Sequence, residues 1–290
     1  MPAMIVTTTE AGLSLENFLQ QRLVAAPGAY LRKLIKDGKI RRSNDMDTLM
    51  AAGERILLPD SHRLMVLLAQ SEKLALTILC ETEQLLILDK PSGLAIHAGQ
   101  GQGQGQEEDN LTDRVAKLLK RRGEHFMAAP IQRLDRETSG AVLFGKGKKS
   151  CSVLGKMMMN TPVGKTYLAL VSGQITTDGT LIDDIPAKGK LKTAITSYQV
   201  LVTNDNASLL QIDLKTGRQH QIRRQFQQLG HPLFGDRRYG GPCPENLLRL
   251  FLHCQQLAFL DPFTDTPLVV TSPLPQDLTA FLDVSGLSLS

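Results

Sequence analysis

One acid between two arginines, followed at once by a small-residue turn and an apolar run, limits what this chain can fold into more than any other stretch. It reads Gln132-Arg133-Leu134-Asp135-Arg136-Glu137-Thr138-Ser139-Gly140, then Ala141-Val142-Leu143-Phe144. The apolar run has the length and content of a buried strand. Two guanidinium groups flank one carboxylate, and a nearby cation favours the charged form of an acid. A fixed carboxylate beside a turn suits nucleophilic or acid–base work. The same cluster also serves elsewhere as a structural ion-pair network, and Thr-Ser-Gly is common loop sequence.

The chain has 290 residues, longer than one usual domain of roughly 100–200 residues, so two domains are expected. A net charge of +4 is small, yet the basic residues cluster, which points to a polyanionic partner. Cys80, Cys151, Cys243 and Cys254 form no Cys-x-x-Cys pair. They read as reduced structural thiols of a cytoplasmic protein rather than zinc or redox ligands. No signal peptide is visible, and apolar runs such as Leu64–Ala69 fall far short of the ~20 residues that span a bilayer. No membrane partner is expected.

In chain order, Leu15, Phe18 and Leu19 have helical spacing, and a second helix follows Pro27-Gly28 with Leu31, Leu34 and Ile35 on one side. Its other side and exit carry Arg32, Lys33, Lys36, Arg41 and Arg42, an arrangement that grips phosphates. A short strand ends at Pro59. Residues 1–62 are thus one small module, 63–73 a connector, and 74–290 a second domain. The latter opens with strands over Thr77–Glu81 and Gln84–Lys90, then a Pro91/Gly93 turn leading to His97. The alternating Gly/Gln tract at 99–106 offers nothing apolar to bury and reads as a mobile loop. Asn110 caps a helix, Ser150 caps another to about Met159, and Gly164–Val171 alternates as a strand with Tyr167, Ala169 and Val171 on one face. Strands Thr193–Thr203 and Ser208–Leu214 form a hairpin. Lys215-Thr216-Gly217-Arg218-Gln219-His220-Gln221-Ile222-Arg223-Arg224 turns into a helix with Ile222, Phe226 and Leu229 inward and His220, Arg223 and Arg224 facing solvent or RNA.

Several of these stretches share one resemblance. Arg-Leu-Asp-x-x-Thr-Ser-Gly before an apolar strand resembles the signature of the pseudouridine synthases that act on large-subunit ribosomal RNA and transfer RNA. So do Leu-Asp-Lys-Pro-x-Gly-Leu-x-x-His at 88–97, Lys-x-Tyr-x-Ala-x-Val at 165–171 and Thr-Gly-Arg-x-His-Gln-Ile-Arg at 216–223, all in the family's order. Gln132 departs from the family, where a histidine is frequent. The N-terminal module resembles an S4 RNA-binding domain. The resemblance implies an α+β architecture: the pseudouridine synthase fold, a mixed and mainly antiparallel sheet with flanking helices, beside a small α/β S4-like domain. It implies isomerisation of uridine in RNA, most directly 23S ribosomal RNA, by a monomer without cofactor or metal. Asp135 becomes the catalytic residue, nucleophile or base at the ribose, Tyr167 lies against the target base and helps remove its C5 proton, and Arg218 pairs with Asp135. Arg133 fills the gap left by an extruded base, while Arg32, Lys33, Lys36, Arg41, Arg42, His220 and Arg223 contact RNA. The competing readings are a tRNA-directed synthase, a non-catalytic RNA-binding or ribosome-assembly protein, and a glycoside hydrolase. The last needs a second carboxylate, and Glu137 is expected to leave on the other side of the turn.

Overall fold

The computed structural model describes residues 2–8, 10–44, 48–98, 109–161, 163–187 and 189–288. The Gly/Gln tract at 99–106 lies outside the described residues. Contacts divide the chain into two units, Met1–Leu76 with Arg114–His125, and Thr77–Asp113 with Phe126–Ser290.

In the first unit, strand β1 (Ala3–Ile5) is followed by helices α1 (Leu15–Arg22) and α2 (Gly28–Lys36), then strands β2 (Arg41–Arg42) and β3 (Arg55–Leu57) and helix α3 (His62–Leu74). The strands pair in the order β1-β3-β2. Ser14 starts α1 by accepting from the Asn17 amide at 3.3 Å, which satisfies one of the orphan donors of a first helical turn. Phe18, Leu19, Leu31, Leu34, Ile56 and Leu64 gather in one core. Burying the apolar side of α2 leaves Arg32, Lys33 and Lys36 on its exposed side. The segment expected as a connector is helical, and its Leu64 belongs to this same core.

The second unit holds strands β4 (Thr77–Glu81), β5 (Leu85–Lys90), helix α4 (Leu111–Arg121, whose later turns group with the first unit), β6 (Ala128–Pro130), β7 (Ser139–Lys146), α5 (Gly147–Asn160), β8 (Gly164–Ser172), β9 (Gly179–Ala187), β10 (Lys190–Thr203), β11 (Ala207–Leu214), α6 (Gln221–Gln228), β12 (Leu252–Leu260), β13 (Pro267–Thr271) and α7 (Gln276–Val284). The main path of its sheet runs β4-β5-β7-β12-β8-β11-β10-β9, with β13 on β12 and β6 on β7. The β7–β12 pair is parallel and the other pairs are antiparallel, so the sheet is mixed and mainly antiparallel. Leu85–Leu88 and Ala141–Phe144 are wholly buried, as expected of strands covered on both faces.

One glycine fixes the register that matters most. At Gly140, φ is +113° and a β-carbon would collide with the backbone oxygen of Cys254. Only glycine lets β7 lie this close to β12, and β7 begins four residues after Asp135. Asn110 caps α4 through its Oδ1, which accepts from the Asp113 amide at 3.0 Å. Helix α5 starts at Gly147, three residues before the serine expected to cap it, and Ser150 is buried inside the helix.

Candidate active site

Asp135 sits on the loop between β6 and β7, and the preceding motif braces that loop. At the end of β5 the wholly buried Lys90 turns its ammonium inward. It donates to the carbonyls of Pro91 and Leu94 at 2.8 Å each and to that of Arg136 at 3.1 Å. The Gly93 amide also donates to the Arg136 carbonyl at 2.8 Å, Arg136 Nε donates to the Gly93 carbonyl at 2.9 Å, and Ser92 Oγ donates to the Glu137 carbonyl at 2.7 Å. The backbone immediately after Asp135 is therefore fixed from one direction. Burial, with help from the Arg249 charge, pushes the Lys90 pKa down to about 7.

The open cleft above this loop is lined by Asp135, Tyr167, Arg218, His220, Ile222 and Arg223 among others. Arg133 lines it as well and is exposed. Tyr167 projects from β8, almost fully buried. Burial raises its pKa well above the usual phenol value, and Cys254 and Asp135 add to the shift. Burial also pushes the Cys254 thiol up to about 12. Tyr167 thus offers the cleft a neutral phenol rather than a phenolate.

The expected ion pair between Arg218 and Asp135 is not formed. Among the described residues, the groups that face the Asp135 carboxylate within 4 Å are Arg223, whose Nη1 is 3.5 Å from Oδ2, and His220, whose Nε2 is 3.7 Å from Oδ1. Arg218 instead donates through Nε to the Thr193 carbonyl at 3.2 Å, and its amide donates to Gln221 Oε1 at 3.0 Å. The cause is where the helix begins. Helix α6 starts at Gln221, after a turn in which His220 takes φ 54°, so the arginine in the first helical turn is Arg223. Leu229, expected to point inward, is exposed at the far end of that helix.

Arg223 and His220 were expected to face RNA; the structure builds both into the cleft. Arg223 is 3% exposed. Its Nε and Nη2 donate to the two oxygens of the wholly buried Asp236 at 2.7 Å each, the bidentate fork that guanidinium favours. That leaves Nη1 for Asp135, while Nη2 also lies 3.4 Å from Glu137 Oε2. Glu137 therefore turns toward the same guanidinium, not to the opposite side of the turn. Burial works against the Arg223 charge, but Asp236, followed by Asp135 and Glu137, outweighs it and raises the pKa. His220 Nδ1 lies 3.0 Å from the Tyr239 hydroxyl. Burial lowers its pKa, Asp135 opposes this, and Arg223, Arg238 and Arg224 reinforce it.

In the first unit, Arg32, Lys33, Lys36 and Arg41 are exposed, and Arg32 pairs with Glu16 at 3.1 Å. Arg42 departs from its expected role. Its Nε and Nη2 reach the Glu54 carboxylate at 2.6 and 3.0 Å, Nη2 also reaches the Leu49 carbonyl at 2.9 Å, and its side chain is 9% exposed. It holds the module together and does not present a free charge to phosphate. Sequence reasoning assigned no role to Lys90 or Asp236. The signal for Lys90 was present as a lysine closing an apolar strand, and Pro91 and Gly93 were credited with the turn instead.

Among the described residues, no helix is long and apolar enough to cross a membrane, and no group of three or more His, Cys, Asp or Glu could hold a metal ion. Residues 84–228 match a family model described as RNA pseudouridylate synthase. A Bacillus subtilis (strain 168) protein named uncharacterized RNA pseudouridine synthase YhcT is 33% identical over 220 residues, covering 70% of this chain and 70% of that protein. Ribosomal large subunit pseudouridine synthase C of Salmonella typhi is 29% identical over 310 residues, covering 96% of this chain and 95% of that protein. The solved human RNA pseudouridylate synthase domain containing 4 shares the fold, with a TM-score of 0.59 at 23% identity, covering 71% of this chain and 92% of that one.

Proposed function

Because the chain belongs to the RNA pseudouridylate synthase family, we propose that it isomerises uridines of large-subunit ribosomal RNA, with Asp135 as the group that acts on the ribose. Its enzyme class is that of an RNA pseudouridine synthase, and the chain has the expected fold. The choice of RNA rests on relatives named for the ribosomal large subunit that align along nearly the whole chain. The observation that carries the role of Asp135 is its setting: a carboxylate on a braced loop, faced by Arg223 and His220, inside a cleft that also holds Tyr167.

The reaction breaks the C1′–N1 bond, turns the uracil, and joins C5 to C1′. C5 loses a proton and N1 gains one, so no redox partner or net water is consumed. Attack at C1′ and removal of the C2′ proton both begin from the ionised carboxylate, which Arg223 attracts and orients. Tyr167 supplies an aromatic surface for the base; as a neutral phenol it needs a partner before it can accept the C5 proton. The uridine must leave its stack to enter, and Arg133, exposed at the cleft, fills the space it vacates. The S4-like module contributes phosphate contacts through Arg32, Lys33, Lys36 and Arg41. The protein works as a monomer in the cytoplasm.

The test uses a large-subunit rRNA transcript carrying tritium at uridine C5. The unaltered chain releases tritium to water. Asp135→Asn lowers release by about 10²–10⁴-fold, the range of a lost acid–base group, while still retaining RNA on a filter. RNA retention by the unaltered chain without release would make it a binding or assembly protein, and free uracil among the products would make it a glycosidase.

A further inference from the structure

His220 is the cleft residue whose geometry the reaction above leaves unused. Its φ of 54° lies in the left-handed region, which residues with a β-carbon enter reluctantly. Starting α6 does not require this, because His220 makes no side-chain cap bond, and cap residues normally keep an extended backbone. What the turn does achieve is to carry the imidazole into the cleft, with Nε2 at 3.7 Å from Asp135 Oδ1. Strain of this kind persists where the surroundings impose it, and it gathers at functional sites.

The proton positions follow from the partners. Arg224 Nε donates to the Tyr239 hydroxyl oxygen at 3.0 Å, and guanidinium has no acceptor. The hydroxyl hydrogen is then available to Nδ1 of His220, 3.0 Å away. A neutral ring that accepts at Nδ1 carries its proton on Nε2, the nitrogen that faces Asp135. A bare lone pair aimed at a carboxylate would repel it, so both ends of the ring favour the same tautomer. The charged groups facing the ring are Asp135, Arg223, Arg224 and Arg238, with Glu137 and Asp236 behind Arg223. Three surrounding guanidinium groups and burial oppose a second proton.

We infer that His220, fixed as its Nε2–H tautomer by the Arg224–Tyr239 pair, is a positioning residue that holds one oxygen of the Asp135 carboxylate while Arg223 holds the other. Held at both oxygens, the carboxylate keeps one orientation toward the ribose, and orientation of this kind governs rate more than affinity. The 3.7 and 3.5 Å separations are ion-pair distances, and catalytic contacts of this kind commonly tighten on the way to the transition state. Protonation of the ring at low pH turns Nδ1 into a donor, displaces the Tyr239 hydrogen, and binds Asp135 as an ion pair that weakens it as a nucleophile or base.

This inference rests on the pseudouridine synthase reading, and two variants separate it from a plain turn-forming role. His220→Asn tolerates the left-handed backbone and keeps a polar group toward Tyr239, but it is too short to reach Asp135. His220→Gln is less suited to the turn but places an amide N–H where Nε2 stands. With the tritiated transcript, His220→Asn is expected to lower kcat about 30-fold with KM unchanged, within the 10²-fold that misplacement can cost. His220→Gln stays within about 3-fold of the unaltered chain, on the same argument, and loses the acid-side fall in kcat. Full activity in His220→Asn, or His220→Gln no better than His220→Asn, overturns the inference and leaves the synthase reading standing. No tritium release by the unaltered chain overturns both.

Discussion

At the scale of single residues, the decisive fact is that one guanidinium grips buried Asp236 and still reaches Asp135, with Glu137 as a third carboxylate beside it. Arg223 uses Nε and Nη2 for buried Asp236 and Nη1 for Asp135. A lysine has no planar fork to hold both oxygens of Asp236 while a separate nitrogen reaches Asp135. Arg223→Ala, which leaves Asp236 buried without its partner, is expected to cost about 3–5 kcal/mol of stability in urea melts. Arg223→Lys should keep more of the stability yet lose turnover. Arg218→Ala removes only a hydrogen bond to a carbonyl, so it should cost about 1 kcal/mol and leave turnover the less affected of the two. A larger loss of kcat in Arg218→Ala than in Arg223→Lys would return Arg218 to the role first read for it. The two arginines lie five residues apart after Gly217, and the pattern alone ranks the first as nearer the turn. Which one reaches Asp135 is decided by the left-handed backbone at His220, a conformation that histidine enters more often than most residues but too rarely to be read from sequence. Arg42 was misread for a related reason. A run of basic residues records charge but not that Glu54, twelve positions on, folds back to neutralise one of them.

At the scale of elements, the strands and helices were largely visible because their apolar periods are strong. Leu85–Leu88, Ala141–Phe144 and the 164–171 alternation all became central strands. What periodicity could not show is how a turn is attached to a loop forty-odd residues away. That attachment is Lys90, whose ammonium binds the carbonyls of Pro91, Leu94 and Arg136. Burial lowers its pKa from 10.5 to about 7, which ties stability to pH. Between these values the unfolded chain holds a proton that the folded chain has released, so the folded state gains relative stability as pH rises through the window. This contribution is complete above the unfolded value and is lost as pH falls through about 7. Lys90→Met should abolish that slope and also cost about 1–3 kcal/mol for each carbonyl left dry. Urea melts at pH 7 and pH 9 measure both effects. Parallel pH profiles for the unaltered chain and Lys90→Met would show that Lys90 does not titrate there.

For the whole molecule, the question is how a chain of net charge +4 holds a polyanion. The total is too small to explain tight retention, so the local distribution must do it. Among the first unit's predicted contacts, Arg32, Lys33, Lys36 and Arg41 are exposed while Arg42 is consumed by Glu54. All the residues that line the cleft belong to the second unit. Replacing Lys33, Lys36 and Arg41 together by alanine should therefore separate grip from chemistry. Each lost phosphate contact removes about 0.7 from the slope of log affinity against log salt on single strands, so three remove about 2. RNA retention should weaken uniformly across sequences, while kcat at saturating RNA stays within about 2-fold, because exposed substitutions of this kind perturb the fold little. Filter binding over a salt series and tritium release at saturation provide the two readings. An unchanged salt slope would mean that the second unit alone holds the RNA, and a fall in kcat with KM unchanged would mean that the basic helix takes part in placing the uridine.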